Sequence, residues 1–508
     1  MLSNLQKITC IILRNLFGLY LFSHQSCATG TLHLRKHIYP RKSSLNLRQL
    51  ISFMLHKSII NHITAAVAAL ALTPTALAQT GLEKRAAIEA EFGVRDAVVR
   101  YDTRADMMKE LYRTGAEYYM YPFDNPEMTP APKGYKPFYI SYLGRHGARF
   151  AISDDIYEKV RAILVNAHEA GKLNDKGEEL YRRYEAFYPH VAFRGGDLTI
   201  KGQEQLHKIA NIMYHDFPEV FKGKTEATVL STPVPRVLLT MHSFIDEIRV
   251  LDRDFSYSVD AGRKLLPVLE PNGSKNPFYE KVPRTKAVAE TAAAMQAELA
   301  DPEGFCSRFF NDIDFIESSY GMWKFESDMR SIIMDIQCIG DDAATDKFDD
   351  IFTPEELFNL WELRNFNGYT IWGFSPIADN RSVTNNAAVL KDIMVNADRN
   401  IASGKVQLDL RFTHDTAVLP TASFMRINNF GAVISDPHEV KNYWRSDQIP
   451  MASNIQFIFY RSKKSSEILI KVLYNGHEAS LPLAEVAPSY YSWNAFKDFY
   501  YKLIEDVK

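Results

Sequence analysis

Two short apolar runs, far apart in the chain, end in the same kind of polar cluster. Phe138, Ile140, Tyr142 and Leu143 predict a buried strand that stops at Gly144 and passes into Arg145-His146-Gly147-Ala148-Arg149. Val406 to Phe412 alternates apolar with polar positions, predicts a second strand and delivers Thr413-His414-Asp415-Thr416. A third run, Ala227 to Ser231, ends at Thr232-Pro233-Val234-Pro235-Arg236. Ile455 to Arg461 and Ile468 to Leu473 predict two further strands. The turn at Asn475-Gly476 makes these, with the Glu478–Pro482 run, antiparallel edge material.

Helical periodicity fills the intervals. It predicts helices at Leu82–Val94 and Asp106–Tyr118, before the prolines at 122, 126, 130, 132 and 137 interrupt regular structure. Asp154–Glu169 follows, with Ile156, Val160, Ile163 and Leu164 on one face, and then Asp175–Phe187. After the Gly195-Gly196 turn, Thr199 caps a helix over Ile200–Phe217. Val237–Ile248, Lys286–Leu299, Phe358–Gly368 and Ala387–Ser403 complete the set, the last closed by Gly404. The middle of the chain is helical without strand alternation. The expected fold is therefore α/β: a central, mostly parallel sheet flanked by helices, with an inserted, mainly helical domain. The core takes 79–150, about 225–265 and 404–508; the insertion takes about 151–224 and 266–403.

The first 78 residues read as addressing rather than fold. Met54-Leu55-His56-Lys57 opens a basic region, Ile59–Leu72 is apolar, and Ala76-Leu77-Ala78 is a small-x-small cleavage site before Gln79. That makes 54–78 a signal peptide, 1–53 an upstream extension outside the mature protein, and the expected location the periplasm or the medium.

This reading changes the charge balance. The whole chain carries −3, but residues 1–78 hold eight Lys/Arg and no acid. The remainder has 51 basic against 62 acidic residues, a net charge of −11, which argues against nucleic-acid binding. Cys10 and Cys27 leave with the leader; Cys306 and Cys338 are either one disulfide or two buried thiols. There is no C-x-x-C or H-E-x-x-H for zinc. No G-x-G-x-x-G follows a strand and no G-x-x-x-x-G-K-[ST] occurs for nucleotides. No cofactor or metal is expected.

Parallel strands present their carboxyl ends on one side of a sheet, so Arg-His-x-x-Arg and His-Asp can share a pocket. Together they hold a nucleophile, anion clamps and a carboxylic acid. That set suits phosphoryl transfer through a phosphorylated histidine. His146 attacks phosphorus with one ring nitrogen while a backbone carbonyl or another acceptor holds the other. Arg145, Arg149, Arg236 and His414 grip the nonbridging oxygens, and Asp415 protonates the leaving alkoxide and then deprotonates water. A metallohydrolase using His146, His414 and Asp415 remains open, as does a secreted binding protein for phosphate or sugar phosphates. A serine hydrolase lacks its G-x-S-x-G elbow.

The chain resembles the histidine acid phosphatase branch of the histidine phosphatase superfamily, which includes acid phosphatases, phytases and multiple inositol polyphosphate phosphatases. Its RHGxRxP loop is met by Arg145-His146-Gly147-Ala148-Arg149-Phe150-Ala151 and its LTxxGxxQ stretch by Leu198 to Gln205. The later arginine falls on Arg236, and the C-terminal dipeptide on His414-Asp415 within HDTAVLP; inositol polyphosphate phosphatases proper usually have His-Ala-Glu there. The resemblance implies a phosphomonoester hydrolase with its phosphate site in the cleft between core and insertion. Its substrates would be inositol phosphates, as for a phytase, or other small organic phosphates, as for a broad acid or sugar-phosphate phosphatase. Ala151 stands where proline is usual, which implies a looser loop because the rigid φ is lost. Lys201, Lys208, Arg263, Lys264, Lys324 and Arg330 are candidates for gripping further phosphates.

Overall fold

A computed structural model describes residues 74–91, 98–124, 126–340 and 348–507. The upstream extension and residues 54–73 of the expected signal peptide lie outside them. The expected cleavage triplet, Ala76–Ala78, falls within a helix, Pro74–Glu91. No helix among the described residues is long and apolar enough to cross a membrane.

One mixed sheet organises the described chain. In sequence order its strands are β1 (Tyr135–Arg145), β2 (Glu226–Ser231), β3 (Ser256–Asp260), β4 (Leu408–Thr413), β5 (Asn454–Ser462), β6 (Ser465–Tyr474), β7 (His477–Glu478), β8 (Glu485–Ala487) and β9 (Tyr490–Ser492). Their spatial order is β3-β2-β4-β1-β5-β6-β9-β8, with β7 beside β6. The four strands from β3 to β1 are parallel, and antiparallel pairing begins at β5. Asn475 and Gly476 both take positive φ, 52° and 83°, as the predicted hairpin turn requires.

The register decides where chemistry can happen. Arg145 is opposite Thr413 across β1 and β4, and Ser231 is opposite Phe412 across β2 and β4. Three neighbouring parallel strands therefore stop together, and the residues that follow them, His146, Thr232 and His414, emerge side by side.

Helices bury both faces of the central strands. Ile140, Tyr142, Leu408, Leu410 and Phe412 face one cluster, closed by helices Ile200–Asp216 and Pro235–Leu251. Tyr139, Leu143, Ile455 and Phe457 face another, closed by Lys286–Leu299, Pro354–Trp372, Ala387–Ser403, Asp415–Met425 and Trp493–Asp506. The alternation of β4 consequently makes no solvent face. Asp409 and Arg411 are buried, and Arg411 pairs with both Asp409 and Asp392, since a buried charge without a partner is costly.

A third cluster contains no strand. It gathers Asp154–Glu169, Asp175–Val191, Pro302–Ser307, Ile313–Ser319 and Met322–Asp335. This helical body is smaller than the insertion expected from the sequence, because Ile200–Asp216, Lys286–Leu299 and Ala387–Ser403 put their apolar faces on the sheet. Periodicity identifies an apolar face but not its partner. The expected helix over Asp106–Tyr118 is also divided, into Thr103–Lys109 and a 3₁₀ stretch, Leu111–Tyr118, in which buried Ala116 has φ 55°. Cys306 and Cys338 are buried free thiols.

Candidate active site

The loop after β1 is held on three sides. His146 N–H donates to Thr413 O (3.0 Å), Arg145 N–H to Ser453 O (2.8 Å), and Ala452 N–H to His146 O (2.9 Å). Helix Ile200–Asp216 supplies the third side. Ala148 O accepts from both the backbone N–H and the hydroxyl of Thr199, and the same hydroxyl accepts from Gly202 N–H. Ala148 N–H donates to Gln205 Oε1 at 2.8 Å. Gly147 and Gly202 lie so close that a methyl on Gly147 would strike Gly202 O, and one on Gly202 would strike Ala148 O. The Leu198–Gln205 stretch is thus the dock for the arginine-histidine loop.

Within the loop His146 is buried, and its Nδ1 lies 2.9 Å from Gly147 O. A carbonyl can only accept, so Nδ1 carries the hydrogen and Nε2 keeps its lone pair. Burial, followed by the charges of Arg145, Arg236, Arg149 and His414, holds the imidazole well below the usual histidine pKa. These influences favour the neutral ring.

Arg145 is fully buried. Its Nη1 donates to Glu117 O (2.7 Å) and Ile449 O (3.0 Å), and its Nη2 to Asp415 Oδ2 (3.1 Å). Arg149 donates from Nη1 to Phe150 O at 2.8 Å and lies over the Tyr118 ring. Arg236, the second residue of helix Pro235–Leu251, reaches His414 Nδ1 with Nη2 at 3.4 Å. Burial, then the charges of Arg149 and Arg145, bring its pKa down to about 10. The Nε of each of these three arginines is buried without a hydrogen-bond partner. Such donors are rare unless a ligand takes them.

The rings of His414 and His146 are 5.6 Å apart. Because His414 Nδ1 accepts from Arg236, its Nε2 donates to Thr232 Oγ1, 3.1 Å away. Burial, with the Arg236 charge next, lowers its pKa to about 3. Asp415 opens helix Asp415–Met425, and its Oδ1 accepts from Thr416 N–H at 2.9 Å. All six site residues expected from the sequence therefore occupy one pocket at the ends of β1, β2 and β4. Two buried guanidiniums and the half-buried Arg236, beside a neutral imidazole, can hold a tetrahedral dianion against a nucleophile.

Residues 140–475 match the model of the histidine phosphatase superfamily, branch 2. The chain belongs to this superfamily. Among solved structures it is similar to the multiple inositol polyphosphate phosphatase of Bifidobacterium longum in complex with phosphate, at 18% identity and a TM-score of 0.63, covering 78% of this chain and 98% of that one. The same enzyme in complex with inositol hexasulfate gives 18% and 0.62, covering 76% and 96%. The phytase from D. castellii gives 16% and 0.55, covering 77% and 85%. At these identities the likeness is one of fold. No curated protein matches the sequence. Family membership makes the chain a phosphoric monoester hydrolase.

The candidates for gripping further phosphates in this histidine phosphatase have other partners or stand on the surface. Lys208 lies over the Phe123 ring, Lys264 pairs with Asp260 and Lys324 with Asp328. Arg263 is exposed on a 3₁₀ turn. Arg330 is buried and donates to Thr114 O, and Lys201 donates to Gln337 O at 3.4 Å. Arg364, not singled out from the sequence, pairs with Glu117, and its charge is felt by Asp415.

Glu270 was missed as well. Its Oε2 lies 3.8 Å from His414 Nε2. The turn bearing it is fastened to the His-Asp motif, since Thr413 Oγ1 donates to Leu269 O and Asn272 Nδ2 to Thr416 O. Gly273 leaves the room that its carboxyl fills. Burial raises its pKa against the pull of Arg236. The Leu-Glu-Pro-Asn-Gly stretch carries no periodic or motif signal that would have found it.

Proposed function

We propose that this phosphatase works through a phosphohistidine at His146. The observation that carries the reading is the His146 tautomer: a buried neutral ring, Nδ1–H committed to Gly147 O, its free nitrogen among three arginines. In the first step His146 Nε2 forms a bond to phosphorus while the ester P–O bond breaks, and the departing oxygen takes a proton from Asp415. In the second, water gives a proton to Asp415 as its oxygen attacks phosphorus, the P–N bond breaks, and inorganic phosphate leaves. Arg145, Arg149 and Arg236 carry the charge of the nonbridging oxygens throughout, and His414 joins them once the dianion restores its proton.

The substrates are small organic phosphate monoesters. Inositol phosphates are one class, supported by the fold shared with the structures above. Sugar phosphates and other single monoesters are the second. That class is favoured by the engagement of Lys208, Lys264 and Lys324 elsewhere and by Glu270 beside His414. The leader-like 54–78 segment supports action in the periplasm or the medium.

Rapid acid-free quench of the wild-type enzyme with a radiolabelled monoester should trap an acid-labile phosphohistidine. The His146→Ala protein should form none and turn over no substrate. A near-normal rate in His146→Ala would refute the assignment. Product analysis with phytate, a sugar phosphate and an aryl phosphate separates the two substrate classes.

A further inference from the structure

The residue two past Arg149 is Ala151, and its N–H is not idle. It donates to the hydroxyl of Tyr157 at 2.9 Å, and that hydroxyl donates to Asp335 Oδ2 at 2.5 Å. Tyr157 and Asp335 are both fully buried, Tyr157 on helix Asp154–Glu169 and Asp335 at the end of Met322–Asp335. Both helices belong to the strandless cluster. The same short turn reaches the site again three residues on, where Cys338 packs against Ala148 and its Sγ lies 3.2 Å from Tyr118 O. On the other side of the loop Ala151 O accepts from Gly196 N–H at 2.7 Å.

This arrangement gives the loop a fastening that the sequence did not reveal. Proline would fix φ but offer no N–H. Alanine leaves φ free and exposes a donor, and the helical cluster supplies a hydroxyl for it. A buried Asp costs much unless it is bonded or protonated. Asp335 has Tyr157 on one oxygen and no partner on the other, beside the Arg149 charge. A strut so placed acts on the segment that carries Arg149.

We propose that Tyr157, backed by Asp335, is a positioning residue for the phosphate loop, holding Arg149 in place through the Ala151 N–H where a proline ring would otherwise do so. The proposal rests on reading the Arg145–Arg149 loop as the phosphate site. It assigns the helical cluster a part in the chemistry of the sheet.

Inorganic phosphate binding, measured by calorimetry on the full chain, tests it without requiring turnover. Tyr157→Phe keeps the ring and removes the hydroxyl that accepts from the Ala151 N–H, so phosphate should bind roughly tenfold more weakly or worse. Tyr184→Phe is the control. Tyr184 is equally buried in the same cluster, but its hydroxyl donates to Tyr157 O at 3.0 Å. It should leave phosphate affinity unchanged even if the protein melts earlier. In an Ala151→Pro background there is no N–H to hold, and Tyr157→Phe should then weaken binding no further. Should Tyr157→Phe not accumulate as folded protein, Asp335→Ala, which removes the hydroxyl's acceptor, carries the same expectation. Equal losses in Tyr157→Phe and Tyr184→Phe, or an undiminished Tyr157→Phe effect in the proline background, would overturn the proposal. A wild-type chain that bound no phosphate would instead overturn the reading of the site on which it rests.

Discussion

Nη2 of Arg145 lies 3.1 Å from Oδ2 of Asp415, so the acid assigned to the leaving group is held by one of the arginines assigned to the phosphate. Burial alone would raise the Asp415 carboxyl, but Arg145, Arg149 and His414 together keep it below the usual carboxylate range. Without substrate it is ionised. A bound phosphate dianion adds negative charge beside Asp415, which favours the proton that the proposed acid step requires.

The first prediction follows from that coupling. Asp415→Asn should lower kcat/KM for an alkyl phosphate by about 10²–10⁴-fold, the usual value of general acid help. For p-nitrophenyl phosphate, whose leaving group needs no proton, the loss should be much smaller. Activity on the alkyl ester should fall as pH rises through the Asp415 pKa of the substrate complex. Equal losses for both substrates would mean that Asp415 only positions the phosphate.

His414 should take up a proton when an anion binds. Its pKa is about 3 in the unliganded site, and a neighbouring dianion raises it. Sulfate, whose charge is constant in mild acid, should therefore bind more tightly as pH falls toward the bound-state pKa, with proton uptake visible by calorimetry in buffers of different ionisation enthalpy. His414→Asn should abolish the uptake. Pairing with stability follows the same sign: the unfolded His414 titrates near 6.5, so its contribution is full above that pH and is lost as pH falls toward 3.

Gly202→Ala should inactivate without touching substrate. Its methyl group meets the backbone oxygen of Ala148, which cannot swing aside as a side chain can. A loop displaced by about 1 Å can cost on the order of 10²-fold in rate. Circular dichroism should remain native while kcat/KM falls. A fully active Gly202→Ala enzyme would show that the loop does not depend on this approach.

Glu270→Gln removes a negative charge beside His414 while keeping the shape over Gly273. The ratio of kcat/KM for phytate to that for a sugar monophosphate should rise, because a second phosphate near the pocket no longer meets a carboxylate. An unchanged ratio would place Glu270 outside the path of the substrate.

Much of this was legible in the chain. Strand ends followed by Arg-His-Gly and His-Asp announce themselves locally, because apolar runs, glycine and charge are properties of neighbouring residues. Thr199 caps its helix as predicted, accepting from Gly202 N–H, and Gly404 closes Ala387–Ser403 with φ 62°. Helix Trp493–Asp506 was not predicted, although Trp493, Phe496, Tyr500 and Leu503 carry its periodicity and fall on its buried face.

What the tertiary structure decided is partnership. Arg145 and Asp415 are 270 residues apart, and only the in-register pairing of β1 with β4 brings them together. No local pattern tells which apolar faces lie on the sheet and which form the separate helical cluster, or that β4 would bury Asp409 and Arg411 between helices. Nor could it show that the hydrogen left by replacing proline with Ala151 would find Tyr157, or that Glu270 would stand beside His414. Periodicity and motif record what a residue needs, an apolar neighbour, an acceptor or a countercharge; which distant residue meets the need depends on sheet order and register, and these form only when the whole chain packs.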